Sequence, residues 1–525
     1  MRWWLFLVVF SLACPWPESG GPATAGGQTT TGGTLDPGGS TAVTTDTGAL
    51  TDTGALTDTG ALTDTEALPG GCPTGHVALH NQDEVNALAG CTHIFGELMI
   101  LDGVTDLTPL AELRSVVGNL GIYSPQLTSL AGLEALESVG MLYMNGYDGI
   151  TSLEPLAGLT DIPGPVHLGN FNRLESLEGL HNLEHIGRSL HLYNIPQLVD
   201  LNGLRGLKRI DGGLELRKLP LVDLHGLEAL TEVGTPDMPS SVRLDSLPQL
   251  TSLAGRSFAW LASHSVTLSA TLVSDLGDFA GTGELRSLSV SHNPALASLA
   301  GLESLAVVSH ELEFRHNEAL ADIGGLAGLN SVKDLTFEGD QPFAGLAPLA
   351  ALTTVERLAI LSSPLTDLDG LTSLPQIGHF HLRSNEQLAG LSGLTNFTTL
   401  GSLTIDSNPA LADLSDLSTL VMMTGTLDIR GNNALTTVSG IVALTEIGGR
   451  LVVVNNPQLP CSDVFDWSDP MTIALGRKIA GNKDCGPPAD PCPWTDDGEC
   501  DDEDGGLGIC LKYSDTDCCH ALACR

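Results

Sequence analysis

The chain has 525 residues, of which 42% are hydrophobic but only 4% aromatic, so any core must be built mainly from aliphatic side chains. With 23 Lys and Arg against 63 Asp and Glu, the formal net charge is -40. A surface of that charge repels phosphate groups, which argues against nucleic acids and anionic membrane surfaces as partners.

Residues 1–13 have the features of a signal peptide. Arg2 precedes an apolar run that is too short to span a bilayer. Small side chains at the -3 and -1 positions suit ordinary cleavage before Cys14, and Leu12-Ala13-Cys14 also resembles a bacterial lipoprotein box. The sequence therefore predicts a secreted protein or, with Cys14 as the lipidation site, an envelope or outer-membrane lipoprotein at the cell surface.

Residues 14–71 are rich in Thr, Gly, Ala and Asp. A Thr-Asp-Thr-Gly-Ala-Leu hexapeptide starts at Thr45, Thr51 and Thr57, and returns once more with Glu66 in place of glycine. One leucine in six residues cannot bury enough surface to offset the entropy lost on ordering the backbone. We predict a disordered linker that acts as a flexible stalk.

A short pattern of alternating aliphatic residues followed by a turn repeats through the middle of the chain. The steps are 22 to 24 residues, apart from one of 28 between Leu214 and Val242. This is the period of leucine-rich repeats, so we predict a right-handed, mainly parallel β solenoid of the α/β type with about sixteen repeats. The first aliphatic residues of the sixteen units are Leu98, Leu120, Leu142, Val166, Leu190, Leu214, Val242, Val266, Leu288, Leu312, Leu335, Leu358, Phe380, Leu403, Leu427 and Leu451.

Each unit is expected to bury its leucines only against its neighbours. Strand alternation points Leu403 and Ile405 inward and leaves Thr404 and Asp406 outward. Asparagine recurs five residues after the first aliphatic, where its amide can bond the buried turn backbone. This asparagine is found at Asn293, Asn317, Asn385, Asn408, Asn432 and Asn456, whereas the turns of the first half carry Pro125, Tyr147, Phe171 and Ile195.

The two ends of this array resemble the receptor L domain, the leucine-rich ligand-binding module of insulin and epidermal growth factor receptors that also occurs in bacterial surface proteins. The resemblance lies in residues 90–100, preceded by Cys72 and Leu88, and in residues 455–461 followed by Trp467. It implies disulfide-bonded caps, which we expect to be Cys72–Cys91 and Cys461–Cys485. The array is longer than a typical L domain, so it forms either one long capped solenoid or two L-domain-like halves, 72–257 and 258–486.

Outward strand positions in the first half combine tyrosine, histidine and arginine. Tyr and His side chains lose little rotamer freedom and make good contact residues. We therefore predict a ligand-binding face there, although the same residues could instead stack along the sheet and only stabilise it. The predicted ligand-binding residues are Tyr123, Tyr143, His167, His191, Tyr193, Arg217 and Arg243.

Two histidine arrangements raise the question of metal binding. His181, Glu184 and His185 fit the H-x-x-E-H pattern of one metalloprotease group, but that chemistry needs a long helix, and the next predicted strand starts too soon for one. His379 and His381 share a strand face without an evident third ligand. The sequence thus favours no catalysis and no resident metal in the repeats.

The tail, residues 487–525, is acidic and rich in cysteine. Its six cysteines allow up to three disulfides, whose connectivity the sequence does not fix. Its carboxylates could supply the oxygen ligands of a calcium ion, or the tail is simply a solvated, disulfide-bonded module. The cysteines are Cys492, Cys500, Cys510, Cys518, Cys519 and Cys524, and the candidate calcium ligands are Asp496, Asp497, Asp502, Asp515 and Asp517.

Together these features predict an extracellular or surface-tethered binding or adhesion protein without catalytic activity. Its strand face would recognise an extracellular protein or glycan, and a membrane would be contacted only through a lipid at Cys14. The alternative is a rigid spacer of the envelope or cell wall that has no specific ligand.

Overall fold

The structure is a computed structural model, and it describes residues 72–146, 149–235, 240–253, 264–339 and 341–485. Within these ranges the chain folds as a leucine-rich-repeat solenoid, in which each repeat adds one parallel strand to a long sheet. None of the helices in these ranges is long and apolar enough to cross a membrane. The predicted signal peptide, linker, Cys14 lipidation site, tail cysteines and calcium ligands lie outside the described residues.

The regular elements are short strands with few helices. The α-helices are α1 (Gln82–Asn86) and α2 (Cys461–Ser468). The strands are β1 (Val77–Leu79), β2 (His93–Ile94), β3 (Leu98–Ile100), β4 (Ser115–Ile122), β5 (Ser138–Asn145), β6 (Asp161–Ile162), β7 (Val166–Gly169), β8 (His185–Ile186), β9 (Leu190–Tyr193), β10 (Arg209–Ile210), β11 (Leu214–Arg217), β12 (Glu232–Val233), β13 (Ser241–Asp245), β14 (Ser265–Ser269), β15 (Glu284–Leu285), β16 (Ser287–Ser291), β17 (Val307–Arg315), β18 (Ser331–Glu338), β19 (Thr354–Leu361), β20 (His379–Arg383), β21 (Thr399–Leu400), β22 (Ser402–Asp406), β23 (Met422–Met423), β24 (Leu427–Arg430), β25 (Glu446–Ile447), β26 (Leu451–Val454), β27 (Thr472–Ile473) and β28 (Arg477–Ala480). Single turns of 3-10 helix lie at Thr108–Leu110, Glu154–Leu156, Asn202–Leu204, Gly277–Phe279, Gly324–Leu326, Ala347–Ala351, Ser392–Leu394, Ser415–Leu417 and Ser439–Ile441.

One ladder of parallel strands runs through the solenoid. Its order is β1, β3, β4, β5, β7, β9, β11, β13, β14, β16, β17, β18, β19, β20, β22, β24, β26 and β28. All sixteen predicted aliphatic residues lie on this ladder and are buried, which confirms the predicted repeat. The ladder also contains two strands outside the predicted units, β1 and β28. In β28, Arg477 takes the place of the aliphatic residue opposite Leu451.

The unit around Leu403 shows how a repeat closes. Leu403 and Ile405 are fully buried, while Thr404 and Asp406 between and after them keep part of their surface in solvent. The chain then turns and presents further leucines to the same core, so that one repeat fills the inner side of the next. Those further leucines are Leu411, Leu414, Leu417 and Leu420.

A buried asparagine ladder supports the turns of the second half. Asn408, Asn432 and Asn456 each make the same two bonds. The backbone N–H donates to the side-chain oxygen of the next asparagine along the ladder. The side-chain NH2 donates to a strand carbonyl of an earlier repeat. The ladder ends at Asn482, which the sequence analysis did not include. Gln341 interrupts the row and donates to the Phe314 carbonyl at 2.8 Å. These bonds satisfy polar groups that would otherwise be buried without partners.

The first half closes its turns with apolar side chains instead. Phe171 and Ile195, at the positions that hold asparagine in the second half, are fully buried, and so are Leu219 and Leu247 in the next two repeats. The two halves therefore differ in how they fill one column of the core, although the strand ladder continues from β11 through β13 to β14. The division into domains 72–257 and 258–486 stays a prediction.

Both ends of the array are closed as predicted by disulfide bonds, Cys72–Cys91 and Cys461–Cys485. At the first end, the Asn81 side chain caps α1 by accepting from the Glu84 backbone N–H. At the second end, α2 carries Trp467, whose indole N–H donates to the Ile441 carbonyl at 3.0 Å while its ring packs on the last repeats. The caps shield core leucines that have no further repeat to cover them.

Candidate ligand-binding site on the strand face

The seven predicted ligand-binding residues lie together on the outward face of six neighbouring strands. Because the ladder is in register, each outward side chain is a direct neighbour of the corresponding one in the next repeat. Six of the side chains are half-buried and Arg243 is exposed. In strand order they are Tyr123 after β4, Tyr143 on β5, His167 on β7, His191 and Tyr193 on β9, Arg217 on β11 and Arg243 on β13.

Four of these residues form a continuous stack, which we call the aromatic ladder: Tyr123, Tyr143, His167 and His191. The ring centroids of successive members are 5.1, 5.6 and 4.3 Å apart, and the ring planes are within 26° of parallel. Register places Tyr143, His167 and His191 in one column at the spacing of hydrogen-bonded strands, ~4.8 Å. Tyr123 stands in the other outward column, and its ring reaches Tyr143 over Gly121, which is the register partner of Tyr143. The ring faces are therefore turned towards one another, and the ring edges with their polar atoms remain for a ligand.

Two glycines on the same face make room for tyrosine rings. A side chain at Gly121 would come within 2.7 Å of the Tyr123 ring, and one at Gly169 would overlap the ring of Tyr193. Each tyrosine thus lies directly against the backbone of a strand. Such close seating fixes the rings before any ligand arrives, which reduces the entropy lost on binding.

The histidines of the aromatic ladder do not have equal protonation behaviour. Burial lowers the pKa of His167 to about 4, and the neighbouring His191 ring adds to this effect. At neutral pH His167 is therefore an uncharged ring within the stack. His167 therefore adds no charge to the middle of the ladder at neutral pH.

We expect the low pKa of His167 to make the fold less stable in mild acid. In the unfolded chain the residue takes up its proton near the ordinary value of 6.5, so stability present above pH 6.5 is lost as the pH falls towards 4. A His167→Tyr variant keeps a ring in the stack and removes this titration. Its Tm, measured by circular dichroism, should fall less between pH 6.5 and pH 4 than that of the wild type. The same change at the exposed His310 serves as the control, and equal falls in all three proteins would contradict the assignment.

A charged cluster, which we call the charged end, follows the aromatic ladder: Glu215, Arg217, Arg243 and Asp245. His191 contacts Glu215 at 2.8 Å, and this hydrogen bond together with the nearby arginines holds the pKa of the Glu215 carboxyl below its usual range. Arg217 and Arg243 also reach Asp245, at 3.2 and 3.4 Å. Glu215 and Asp245 were not among the predicted ligand-binding residues, although both stand in the same outward columns as those residues.

A groove of about 410 Å³ opens beside the charged end, at the amino ends of β9, β11 and β13. Gly212 and Gly213 form part of its wall, and His191, Glu215 and Arg243 lie along it. A groove of this size suits a side chain or a small polar group of a ligand rather than a large cofactor. It joins the aromatic ladder to the charged end as one surface.

The outward face of the second half is different, because its charges pair within the ladder. Arg315 contacts both Glu313 and Glu338, while Arg357 pairs with Asp334 at 2.8 Å. Arg383–Asp406 and Arg430–Asp428 continue the pattern. The outward face of the second half is therefore solvated, and these charges are paired within the ladder.

The histidine motifs do not assemble a catalytic metal site. A turn at residues 181–182 leads into β8, whose first residue is His185, so His181 and His185 do not share a helix face. His181 contacts Glu178 and His185 contacts Asp161, while Glu184 pairs with Lys208. Neither this segment nor the pair on β20 belongs to a group of three or more metal-binding side chains within the described part of the chain.

Comparisons with known proteins point to other leucine-rich-repeat structures at low similarity. The chain is 14% identical to the functional domain of InlJ from Listeria monocytogenes, with a TM-score of 0.32 and coverage of 68% of this chain and 73% of that one. It is 17% identical to an internalin, inlF, from Listeria monocytogenes, with a TM-score of 0.31 and coverage of 77% of this chain and 89% of that one. It is 15% identical to a leucine-rich-repeat protein from Leptospira interrogans, with a TM-score of 0.31 and coverage of 75% of this chain and 92% of that one. No family model and no curated protein matches the sequence. At these TM-scores the comparisons carry no argument about function, and the fold assignment rests on the strand ladder itself.

Proposed function

We propose that this chain is an extracellular or surface-tethered binding protein that recognises a protein or glycan ligand through the aromatic ladder, the adjacent Tyr193 and the charged end, without catalysis. The observation that carries the proposal is the seating of the rings, which are stacked on one another and, at Gly121 and Gly169, held against the backbone. A half-buried, rigid row of aromatic edges next to a groove has the properties of a contact surface.

The geometry favours a protein ligand over a glycan. Sugar rings commonly stack on the open face of an aromatic side chain, but the inner faces of the aromatic ladder are covered by neighbouring rings. What the ladder presents outward is hydroxyl groups, imidazole nitrogens and ring edges, which suit hydrogen bonds to a polypeptide. The arginines of the charged end and the adjacent groove would then receive polar side chains of the partner.

Two further features support an extracellular setting. The caps are closed by disulfide bonds, which persist in oxidising compartments. The first residues have the character of a signal peptide, with Cys14 as a candidate for lipidation. Within this proposal the solenoid serves as a receptor L-domain-like module that the Thr-rich linker holds away from the envelope.

The proposal is tested by binding of the full chain to a panel of extracellular proteins and glycans, with a Tyr143→Ala/Tyr193→Ala variant beside the wild type. We expect the protein ligand to bind at least about tenfold more weakly to the variant, because two ordered contact residues are lost. A Thr336→Ala/Glu338→Ala variant, altered in the same two columns of β18, is the matched control and should bind like the wild type. Equal binding by all three proteins would show that the face carrying Tyr143 and Tyr193 does not bind the ligand.

The rival function is a structural spacer. The ion pairs on the outward face of the second half favour it, because those charges already bind one another. A spacer would keep its role after the tyrosine substitutions. Deleting it would change the mechanics of the envelope without loss of partner recognition, which separates the two functions.

A further inference from the structure

An apolar groove of about 430 Å³ lies at the carboxyl ends of β9, β11, β13 and β14, and we call it the rim groove. Leu219 and Ala270 line it, and Lys218 and Ser246 are the only polar residues among its lining in the described part of the chain. The groove lies on the turns that follow the strands, outside the columns that carry the aromatic ladder. Three prolines from successive repeats complete its wall: Pro196, Pro220 and Pro248.

The three prolines share one position of the turn, and the next two repeats keep that position apolar. Each of these residues stands two places after a residue whose φ lies between +53° and +57°. At a strand spacing of ~4.8 Å the five residues form a row about 19 Å long, which matches about six residues of an extended polypeptide. We call the row the apolar strip, and it comprises Pro196, Pro220, Pro248, Leu272 and Pro294.

The side chains of the apolar strip are open to solvent. All of them except Pro220 are exposed, and Leu272 keeps 39% of its surface accessible. Val199 and Val222, which follow two of the same turns, are 57% and 47% exposed. Single apolar residues are common on protein surfaces, but a contiguous row of them marks an interaction site.

Lys218 places a positive charge in the rim groove. Its side chain is exposed, and within the described ranges it forms no ion pair. The carboxylates of the flanking segments have other partners, because Asp245 binds the two arginines of the charged end and Asp223 contacts His225 at 2.9 Å. Asp200 accepts from the backbone of the following turn at 2.9 Å. A cation inside an apolar groove suits a carboxylate that is flanked by aliphatic side chains.

We propose that the rim groove and the apolar strip bind an extended polypeptide segment of a partner protein, in which aliphatic side chains flank a carboxylate that pairs with Lys218. The proline rings favour this contact because they are already fixed and lose little entropy on binding. A long open strip fits a polypeptide, whereas small molecules are usually held in enclosed cavities. This is a second contact surface, and the inference does not rest on the aromatic ladder.

Selection of phage-displayed random dodecapeptides on the full, disulfide-intact chain tests the proposal, with fluorescence polarisation to measure the affinity of the enriched peptides. We expect these peptides to carry Asp or Glu among aliphatic residues. Ala270→Asp should weaken their binding at least about tenfold, because it adds a like charge to the groove, and aspartate tolerates the φ of +53° there. Lys218→Asn should weaken binding about threefold, because an exposed ion pair is lost.

The matched control is Ser384→Asp, which adds a charge at the same turn position of a distant repeat, where φ is +55°. This variant and Tyr143→Ala/Tyr193→Ala should bind the peptides like the wild type. Failure to enrich acidic, aliphatic peptides would overturn the proposal, and so would equal binding by Ala270→Asp and the wild type. Peptides lost only by the tyrosine variant would also reject it, while supporting the site on the strand face. A dimer in light scattering that Ala270→Asp dissociates would reject it too, because the occupant would be a second copy of the chain.

Discussion

Replacing Asn432 with alanine is expected to lower the free energy of unfolding of the C-terminal repeats by about 4 kcal/mol. The side chain is fully buried, and its amide donates to the carbonyls of Ile405 and Arg430, both at 2.9 Å. Its oxygen accepts from the Asn408 backbone N–H at 3.0 Å. Alanine removes all of these partners at once, and each polar group left unsatisfied in the interior costs about 1–3 kcal/mol.

The measurement is urea unfolding by circular dichroism, combined with hydrogen exchange of β22, β24 and β26. Because each repeat contacts mainly its neighbours, the loss should be concentrated in these strands and should fade towards the first half. Asn330→Ala, at an exposed turn position, is the matched control and should change stability by less than about 0.5 kcal/mol. A similar loss in both variants would show that the buried ladder does not hold the turns.

Periodicity explains why the strand ladder could be predicted from the sequence. Repeats of 22 to 24 residues with two aliphatic side chains per strand bury those side chains efficiently only by stacking on one another. The sixteen predicted units could therefore be located from the sequence. The same signal fails where the repeat ends. In β28, the last strand of the ladder in the described residues, Arg477 occupies the position of the aliphatic residue, so the pattern gave no reason to expect a strand.

The sequence predicted which residues of the candidate site are neighbours, but not how their side chains are held in place. Reading outward columns placed Tyr143, His167 and His191 side by side, as the structure has them. The column pattern did not show that tyrosine rings pack against the backbone at Gly121 and Gly169, since that depends on the direction in which each side chain bends towards the neighbouring strand. The bond from His191 to Glu215 was missed for a related reason, because it joins a residue chosen as aromatic to one set aside as charged.

A methyl group at Gly301 is expected to destabilise the middle of the solenoid by about 3 kcal/mol or more. The residue has a φ of +106°, a left-handed conformation that costs little for glycine but is strained for alanine. In addition, a Cβ there would overlap the carbonyl oxygen of Leu276 in the preceding repeat, and backbone atoms cannot move aside as a flexible side chain can. The same two features recur at Gly132, Gly179, Gly226 and Gly370.

Gly345→Ala provides the matched control, because a Cβ at that position meets no atom within 4 Å and its change in stability should be smaller than about 1 kcal/mol. Calorimetry of the two variants and the wild type makes the comparison. Strain at Gly301 acts on the contact between two successive repeats near the centre of the array, so it should weaken the coupling of the repeats before it to those after it. We therefore expect the thermal unfolding of Gly301→Ala, but not of Gly345→Ala, to be broader than that of the wild type or split into more steps. An unfolding curve of Gly301→Ala identical to that of the wild type would mean that successive backbones are not packed as closely as the fold requires.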